Sequence, residues 1–333
     1  MLATIGIVMA IYFIAMIAIS WMGKKHASSF NDYLVAGKSC GIIMIIGAAA
    51  GAHLGNGLVV GGAGEGSVVG FSGIAFGLGC CLSYLIMPSL MSKFVYSHGY
   101  LSMAEYLRER YDNSELIAQI YNIATIGSAM GLIAGQLTAG GALFEALGFN
   151  RLLGIVIIGV VVFAYSQISG LWGAFATSVV QTVVILIGVG SAAIFVLQSG
   201  GWGEITAAVE AGTVPETFTH PFAGYTASAL IGLIVPVSLQ SLTDQAVFQR
   251  ILSAKTEPTF RYGHYIAAAV MLPAIMAPVL IGMYGRVHMG LTGNSAFFGV
   301  ILDVLPPLLA ALVVTAAIAA VMSTIASPSP SAF

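Results

Sequence analysis

Charge is the scarcest ingredient of this chain. Lys and Arg number 11 and Asp and Glu 13 among 333 residues, 7% together, against roughly 25% in a soluble globular domain. The net charge of −2 carries no signal for nucleic acid. Cysteine is nearly missing, and Cys40, Cys80 and Cys81 lack metal-ligand spacing; lying in or beside apolar runs, they read as small core residues. There is no phosphate loop, no paired Cys or His ligand set and no nucleophile elbow. Gly61-Gly-Ala-Gly64 is glycine-rich, but it follows no strand and has no Lys-Ser/Thr partner. These absences exclude a soluble enzyme.

What is there is apolar. Hydrophobic residues make up 58% and the mean hydropathy is +0.97. The 41 glycines are far above the usual share, as expected where membrane helices pack through small residues. Apolar runs long enough to cross a bilayer recur at 2–22, 41–64, 68–92, 115–147, 152–168, 172–198, 225–248, 263–285 and 306–326. The expectation is an all-α polytopic membrane protein of about nine helices, because a closed barrel would alternate apolar and polar residues. The first run lacks a basic flank and is long enough to span, so it reads as a helix rather than a cleavable signal.

Basic residues give the orientation. With the N-terminus outside, Lys24, Lys25, Lys38, Lys93, Arg108, Arg110, Arg250, Lys255 and Arg261 fall on the cytoplasmic side, and only Arg151 and Arg286 on the outer side. The loop 199–224 carries Glu204, Glu210 and Glu216 but no Lys or Arg, as an outer loop should. The segment 93–112 includes a short amphipathic helix expected at the cytoplasmic surface, with Ser102 as its cap and Glu105 at the capping-box position.

One apolar run is interrupted. Gly51-Ala-His53-Leu54-Gly55-Asn56-Gly57 lies inside 41–64. Each glycine costs a helix about 1 kcal/mol relative to alanine, and His53 and Asn56 need partners at membrane depth. Such a break is tolerated only where protein covers it or a wet cavity receives it. It reads as the floor of a solute or ion site.

Four stretches carry a resemblance. They are Phe30-Asn-Asp-Tyr-Leu-Val-Ala-Gly-Lys-Ser39, Ser169-Gly-Leu-Trp-Gly-Ala-Phe-Ala-Thr-Ser-Val-Val-Gln181, Asp244-Gln-Ala-Val-Phe-Gln249-Arg250-Ile-Leu-Ser-Ala-Lys255, and Ala319-Ala-Val-Met-Ser323-Thr324. In this order they resemble the sodium/solute symporter family over essentially the whole chain. The resemblance implies a LeuT-type inverted-repeat core with one extra N-terminal helix, all within a single membrane domain. Here 2–22 would be the extra helix, 41–198 the first five-helix repeat, 225–326 a partial second repeat and 327–333 a disordered tail. The prolines in the tail cannot continue a transmembrane helix. Relatives continue beyond this point, so the second repeat is expected to be incomplete.

The resemblance places the break in the first core helix, where this fold unwinds and freed carbonyls bind Na⁺. It implies a sodium site of backbone carbonyls from Gly51, Leu54 and Ala320 with the hydroxyls of Ser323 and Thr324. A Ser-Thr pair can instead bond back to carbonyls of its own helix. Many relatives carry Asp where Ser178 stands, a position linked to a second sodium site, so one Na⁺ per cycle is expected. No other cofactor is expected.

The solute is expected at His53, Asn56, Gly57, Gln240 and Ser241. His53 has two readings, a donor to a substrate carboxylate or a structural histidine bonded to a neighbouring helix. Gln240 and Ser241 are either substrate contacts or an outward-turned interfacial pair. Leu58 falls where a sugar-transporting relative would place a polar contact, which argues against sugar. Gln136 and Thr138 read as interhelical glue, Glu65 as an outer-interface or gating residue, and Asp244 and Arg250 as fixing the inner gate or interface.

The expected function is sodium-coupled import of a small polar organic solute (a carboxylate, amino acid or vitamin-like molecule) across the cell inner (plasma) membrane by alternating access. Two alternatives remain open at this stage, a transporter-like sensory module of a signalling protein and a non-functional fragment of a symporter.

Overall fold

The computed structural model describes residues 1–24, 36–100 and 102–326. The start of the Phe30–Ser39 motif, Lys25 and the tail 327–333 lie outside the described residues. The elements are α1 (Leu2–Gly23), α2 (Ile42–His53), α3 (Asn56–Val69), α4 (Ala75–Leu90), α5 (Ser92–His98), α6 (Met103–Arg110), α7 (Glu115–Ala146), α8 (Arg151–Gln198), α9 (Gly201–Glu210), α10 (Ala227–Gln240), α11 (Gln245–Ser253), α12 (Glu257–Met289), α13 (Asn294–Gly299) and α14 (Pro307–Ala326). Among the described residues no strand forms, only an isolated bridge between Cys40 and Ala254.

Among the described residues six helices are long and apolar enough to cross a membrane, with α3 and α4 counting as the one stretch Asn56–Leu90, and seven if the pair α10–α11, bent by 41°, is one span. The nine apolar runs of the sequence map onto these elements with three differences. Runs 152–168 and 172–198 are the two legs of α8, which folds back at Gly170. The backbone there has φ 56° and ψ −145°, which a residue with a Cβ adopts only under strain. Run 41–64 is α2, too short to span alone, and α3, which continues with α4 as the stretch Asn56–Leu90. The run 225–248 is the bent pair.

Local chemistry explains the helix starts. Asp244 caps α11 by accepting Ala246 N–H at 2.9 Å, and Thr226 and Thr256 accept Ala229 and Thr259 N–H at 3.3 Å to open α10 and α12. Each satisfies a donor that the helix itself cannot. Ser102 caps the short surface helix α6, accepting Glu105 N–H at 3.3 Å. A further short helix, α5, precedes it where the sequence shows no periodic signal.

The helices α14, α12 and the legs of α8 form the interior, while α7 and α1 leave most of their surface outward. Approach is closest between α3 and α12. A methyl group on Gly66 would collide with Val279 O, and one on Gly282 with Ala63 O. Two backbones meet there with no side chain between them, the usual basis of helix association in lipid. Gly66→Leu and Gly282→Val are therefore expected to destabilise the fold by about 1–3 kcal/mol, read as a lower heat-unfolding midpoint in detergent. At Gly6 a methyl group meets nothing within 4 Å, and Gly6→Ala should leave the midpoint unmoved. Equal midpoints for all three variants would refute this packing.

Candidate functional site

The break is built by two residues. Helix α2 ends at His53, with Leu54 N–H still bonded to Ala50 O at 2.9 Å. Leu54 then turns to ψ 46° and Gly55 to ψ −175°, after which α3 starts at Asn56. An unbroken helix would give Asn56 N–H to Ala52 O. Here Asn56 N–H donates instead to the side-chain Oε1 of Gln136 on α7 at 3.3 Å. Ala52 O lies 3.4 Å from the hydroxyl of Thr324, on α14, which shares its one proton between that carbonyl and Ala320 O. Two neighbouring helices thus supply the partners that the break removes.

Glycine is required at position 55. A methyl group there would stand 2.5 Å from Thr324 Oγ1 and 3.3 Å from Gln136 Nε2. At Gly57 the same group would meet nothing within 4 Å, because this residue faces a cavity.

Two clusters flank the break. On the α14 side, Ser323 and Thr324 both donate to Ala320 O, at 3.1 and 3.0 Å. The back-bonding that such pairs make in helices is present, and Thr324 also reaches across to α2. The oxygens of Ala52, Ala320, Ser323 and Thr324 gather there, a neutral set with the character a hard cation prefers. The cross-helix carbonyl is that of Ala52, one residue past Gly51. Gly51 itself lies against Ser178 and Thr182 of α8, where its absent Cβ would be 3.4 Å from Ser178 Cβ and 3.2 Å from Thr182 Oγ1. Leu54 is fully buried. Ser178 gives its hydroxyl to Ala174 O within its own helix at 2.7 Å.

On the α10 side, Gln240 Nε2 lies 3.0 Å from His53 Nε2. Ser83 on α4 lies 3.5 Å from the same nitrogen and accepts the hydroxyl of Ser241 at 3.0 Å. The ring of Tyr84 stacks on His53 with centroids 4.6 Å apart and planes 20° apart. Tyr84 donates to Ala49 O at 2.5 Å and accepts from the fully buried guanidinium of Arg250 at 3.5 Å.

A cavity of about 610 Å³ opens between these clusters. His53, Gly57, Gln240 and Thr324 line it, together with Gln136, Asp244 and Arg250. Of the residues expected to contact solute, Asn56 is half-buried and engaged through its backbone, and Ser241 is wholly buried against Ser83, so neither lines the cavity. Gln136 joins the site, although its residue type suggests only glue. Ser83 and Tyr84 join it with no advance signal, since they sit in an apolar run. Tyr121 of α7 closes the edge, donating to Thr243 O at 2.8 Å. At the other end of α3, Glu65 accepts the hydroxyl of Tyr225 at 2.5 Å, tying α3 to the segment before α10.

Comparison with known proteins shows the family and the fold. The family model described as "Sodium:solute symporter family" matches residues 33–332. "Sodium/glucose cotransporter 4" of Danio rerio is 25% identical over 310 residues, 84% of this chain and 46% of that protein. "Sodium/proline symporter" of Staphylococcus aureus (strain JH9) is 23% identical over 336 residues, 96% of this chain and 65% of that protein. This chain therefore spans roughly half to two thirds of the length of these relatives. A solved structure described as the "Substrate-bound outward-open state of a Na+-coupled sialic acid symporter" superposes with a TM-score of 0.83 at 19% identity, over 99% of this chain and 72% of that one. That likeness is one of fold.

Gly55→Ala is expected to lower the unfolding midpoint by an amount equivalent to about 1–3 kcal/mol, with Gly57→Ala within about 0.5 kcal/mol of the parent. If the two variants melt alike, Thr324 does not sit against the break.

Proposed function

This chain belongs to the sodium:solute symporter family, and on that premise we propose that it houses the sodium and solute sites of a symporter that imports a small polar organic solute by alternating access. The observation that carries the proposal is the broken span itself. Its freed backbone groups are met by Thr324 on one flank and Gln136 on the other, beside a cavity lined by polar side chains. Unwound backbone at membrane depth next to such a cavity is how transporters of this kind hold ions and solutes.

In this reading Na⁺ is held by backbone carbonyls of Gly51, Leu54 and Ala320 and by the hydroxyls of Ser323 and Thr324, with Ala52 O as a further ligand. The set is uncharged, so the ion is bound without the deep trap that carboxylates would create, and it can leave. Solute meets His53, Gly57 and Gln240, which line the cavity, while Asn56 and Ser241, the other two residues expected to hold it, stand behind that wall. Residues 41–198 form one repeat and 225–326 belong to its inverted counterpart. The broken pair α2–α3 and the bent pair α10–α11 open the two halves and face each other across the cavity. The chain resides in the inner (plasma) membrane with its N-terminus outside, the orientation that the distribution of Lys and Arg favours.

The solute class follows from the lining. The relatives are named for glucose, proline and sialic acid. In this chain Leu58 and Phe76 add apolar surface, while Arg250, Asp244, His53 and Gln240 add polar groups of both charges, which favours a zwitterionic solute. A carboxylate-bearing solute fits this lining better than a neutral sugar.

Purified protein should melt at a higher temperature when Na⁺ replaces K⁺, and higher again with a carboxylate solute present. A ligand at 100 times its Kd stabilises by about 2.7 kcal/mol. A panel of L-proline, sialic acid and D-glucose, each with Na⁺ or K⁺, separates the solute classes. Ser323→Ala with Thr324→Ala should abolish the sodium-dependent shift, and an undiminished shift in that variant would sink the cage assignment.

A further inference from the structure

A separate groove lies away from the proposed solute site, where α1 finishes, α2 starts, α8 reverses and α11 passes into α12. It holds about 490 Å³. Ile42, Ile43, Met44 and Trp172 give it apolar walls, and Ser39 and Lys255 form its polar end. We infer that this groove is a site for an anionic phospholipid, with the headgroup phosphate at Lys255 and an acyl chain along Ile43 and Trp172.

The backbone holds the two ends of the groove together. Cys40 N–H donates to Ser253 O at 3.0 Å, and Lys255 N–H donates to Cys40 O at 3.1 Å. The start of α2 and Lys255 are therefore fixed side by side. Trp172 is fixed from the other direction. A methyl group on Gly23 would stand 2.5 Å from its ring, so the end of α1 packs on the indole with no side chain between them. At Gly41 the same group would meet nothing within 4 Å, and the groove stays open there. Ile43 is 68% exposed. A small water-soluble anion would gain nothing from Ile43 and Trp172, whereas a lipid uses both ends of the groove. Tryptophan at headgroup level is the usual marker of the membrane interface.

Charge selects the headgroup. The lining residues include no Asp or Glu. The nearest acid in sequence, Glu257, accepts the hydroxyl of Ser92 at 2.6 Å and lies 3.8 Å from Arg261 Nε, so it is engaged elsewhere. Lys38 stands at the same end, its ammonium 5.6 Å over the ring of Tyr96, whose hydroxyl donates to Lys255 O at 3.1 Å. Lys24 follows Gly23 on the Trp172 side. Lysines from separate segments thus surround one mouth with an apolar interior. Basic pockets between membrane helices take anionic headgroups, and each Lys near such a surface is worth about fivefold in affinity. The choline of a phosphatidylcholine offsets its own phosphate, so that lipid gains little here. These lysines belong to the set that the charge count places in the cytoplasm, and the lipid accordingly comes from that leaflet.

Quenching of Trp172 by brominated lipid tests this. The chain has 3 tryptophans, and Trp21→Phe with Trp202→Phe, both exposed positions, leaves Trp172 as the only indole. The full chain is placed in phosphatidylcholine vesicles at low salt. Phosphatidylglycerol or phosphatidylcholine with brominated acyl chains is then added in steps. Brominated phosphatidylglycerol should reach half-maximal quenching at a mole fraction about fivefold or more below that of brominated phosphatidylcholine. Lys255→Gln should cut that preference about fivefold. Lys93→Gln, an exposed lysine of α5 that does not line the groove, should leave it unchanged. Equal quenching by the two lipids would mean an acyl chain without headgroup selection, and quenching by neither would mean a groove closed to lipid. A preference that survives Lys255→Gln, or that falls equally in Lys93→Gln, would mean a headgroup held elsewhere or a diffuse field. Any of these overturns the inference. No Na⁺ site or solute enters the measurement, so its outcome is independent of the transport reading.

Discussion

A backbone amide cannot be left without a partner in the interior of a membrane, where each unsatisfied group costs several kcal/mol. Everything around residues 51–57 answers to that constraint. Once Leu54 and Gly55 leave the helix, Asn56 N–H and Ala52 O lose each other. Gln136 must come from α7 and Thr324 from α14 to meet them. Those two bonds define which helices surround the break, and the cavity is the space that their approach leaves open. Gly55 follows from the same demand, since Thr324 can come close only where no Cβ intervenes.

The second requirement is close packing without side chains. α3 meets α12 through Gly66 and Gly282, and α8 reverses on itself at Gly170. In lipid there is little hydrophobic gain in pressing apolar helices together, so contact between backbones and shape fit take its place. The abundance of glycine serves two purposes here. At Gly55 and Gly170 it shapes the chain, and at Gly66 and Gly282 it lets two helices touch.

Much of this was legible in the amino-acid sequence. Apolar runs located the spans, and the Gly, His and Asn of 51–57 marked the break, because both signals are local. The pairing of Ser323 and Thr324 with the break came from the family resemblance, and the carbonyl that Thr324 reaches on α2 is that of Ala52. What was not legible is rotation about each helix axis. α4 is apolar on nearly every side, so nothing in its sequence says that Ser83 and Tyr84 turn toward His53. Gln136 stood out as polar, but its partner, a backbone N–H eighty positions earlier, has no residue-type signature. Ser241 was expected beside solute, and its side chain lies behind the cavity wall because α10 ends at Gln240 and the next residue turns inward to Ser83.

The buried helix α14 has a mean hydropathy of 2.4, close to the 2.6 of α1, yet 83% of its most apolar window is enclosed by protein against 22% for α1. A helix that barely touches lipid in the folded protein has no need there of a lipid-like composition over its whole surface. It needs one earlier, when a newly made segment partitions into the bilayer before its neighbours have gathered around it. Its apolar surface is thus a record of biosynthesis as much as of the folded state.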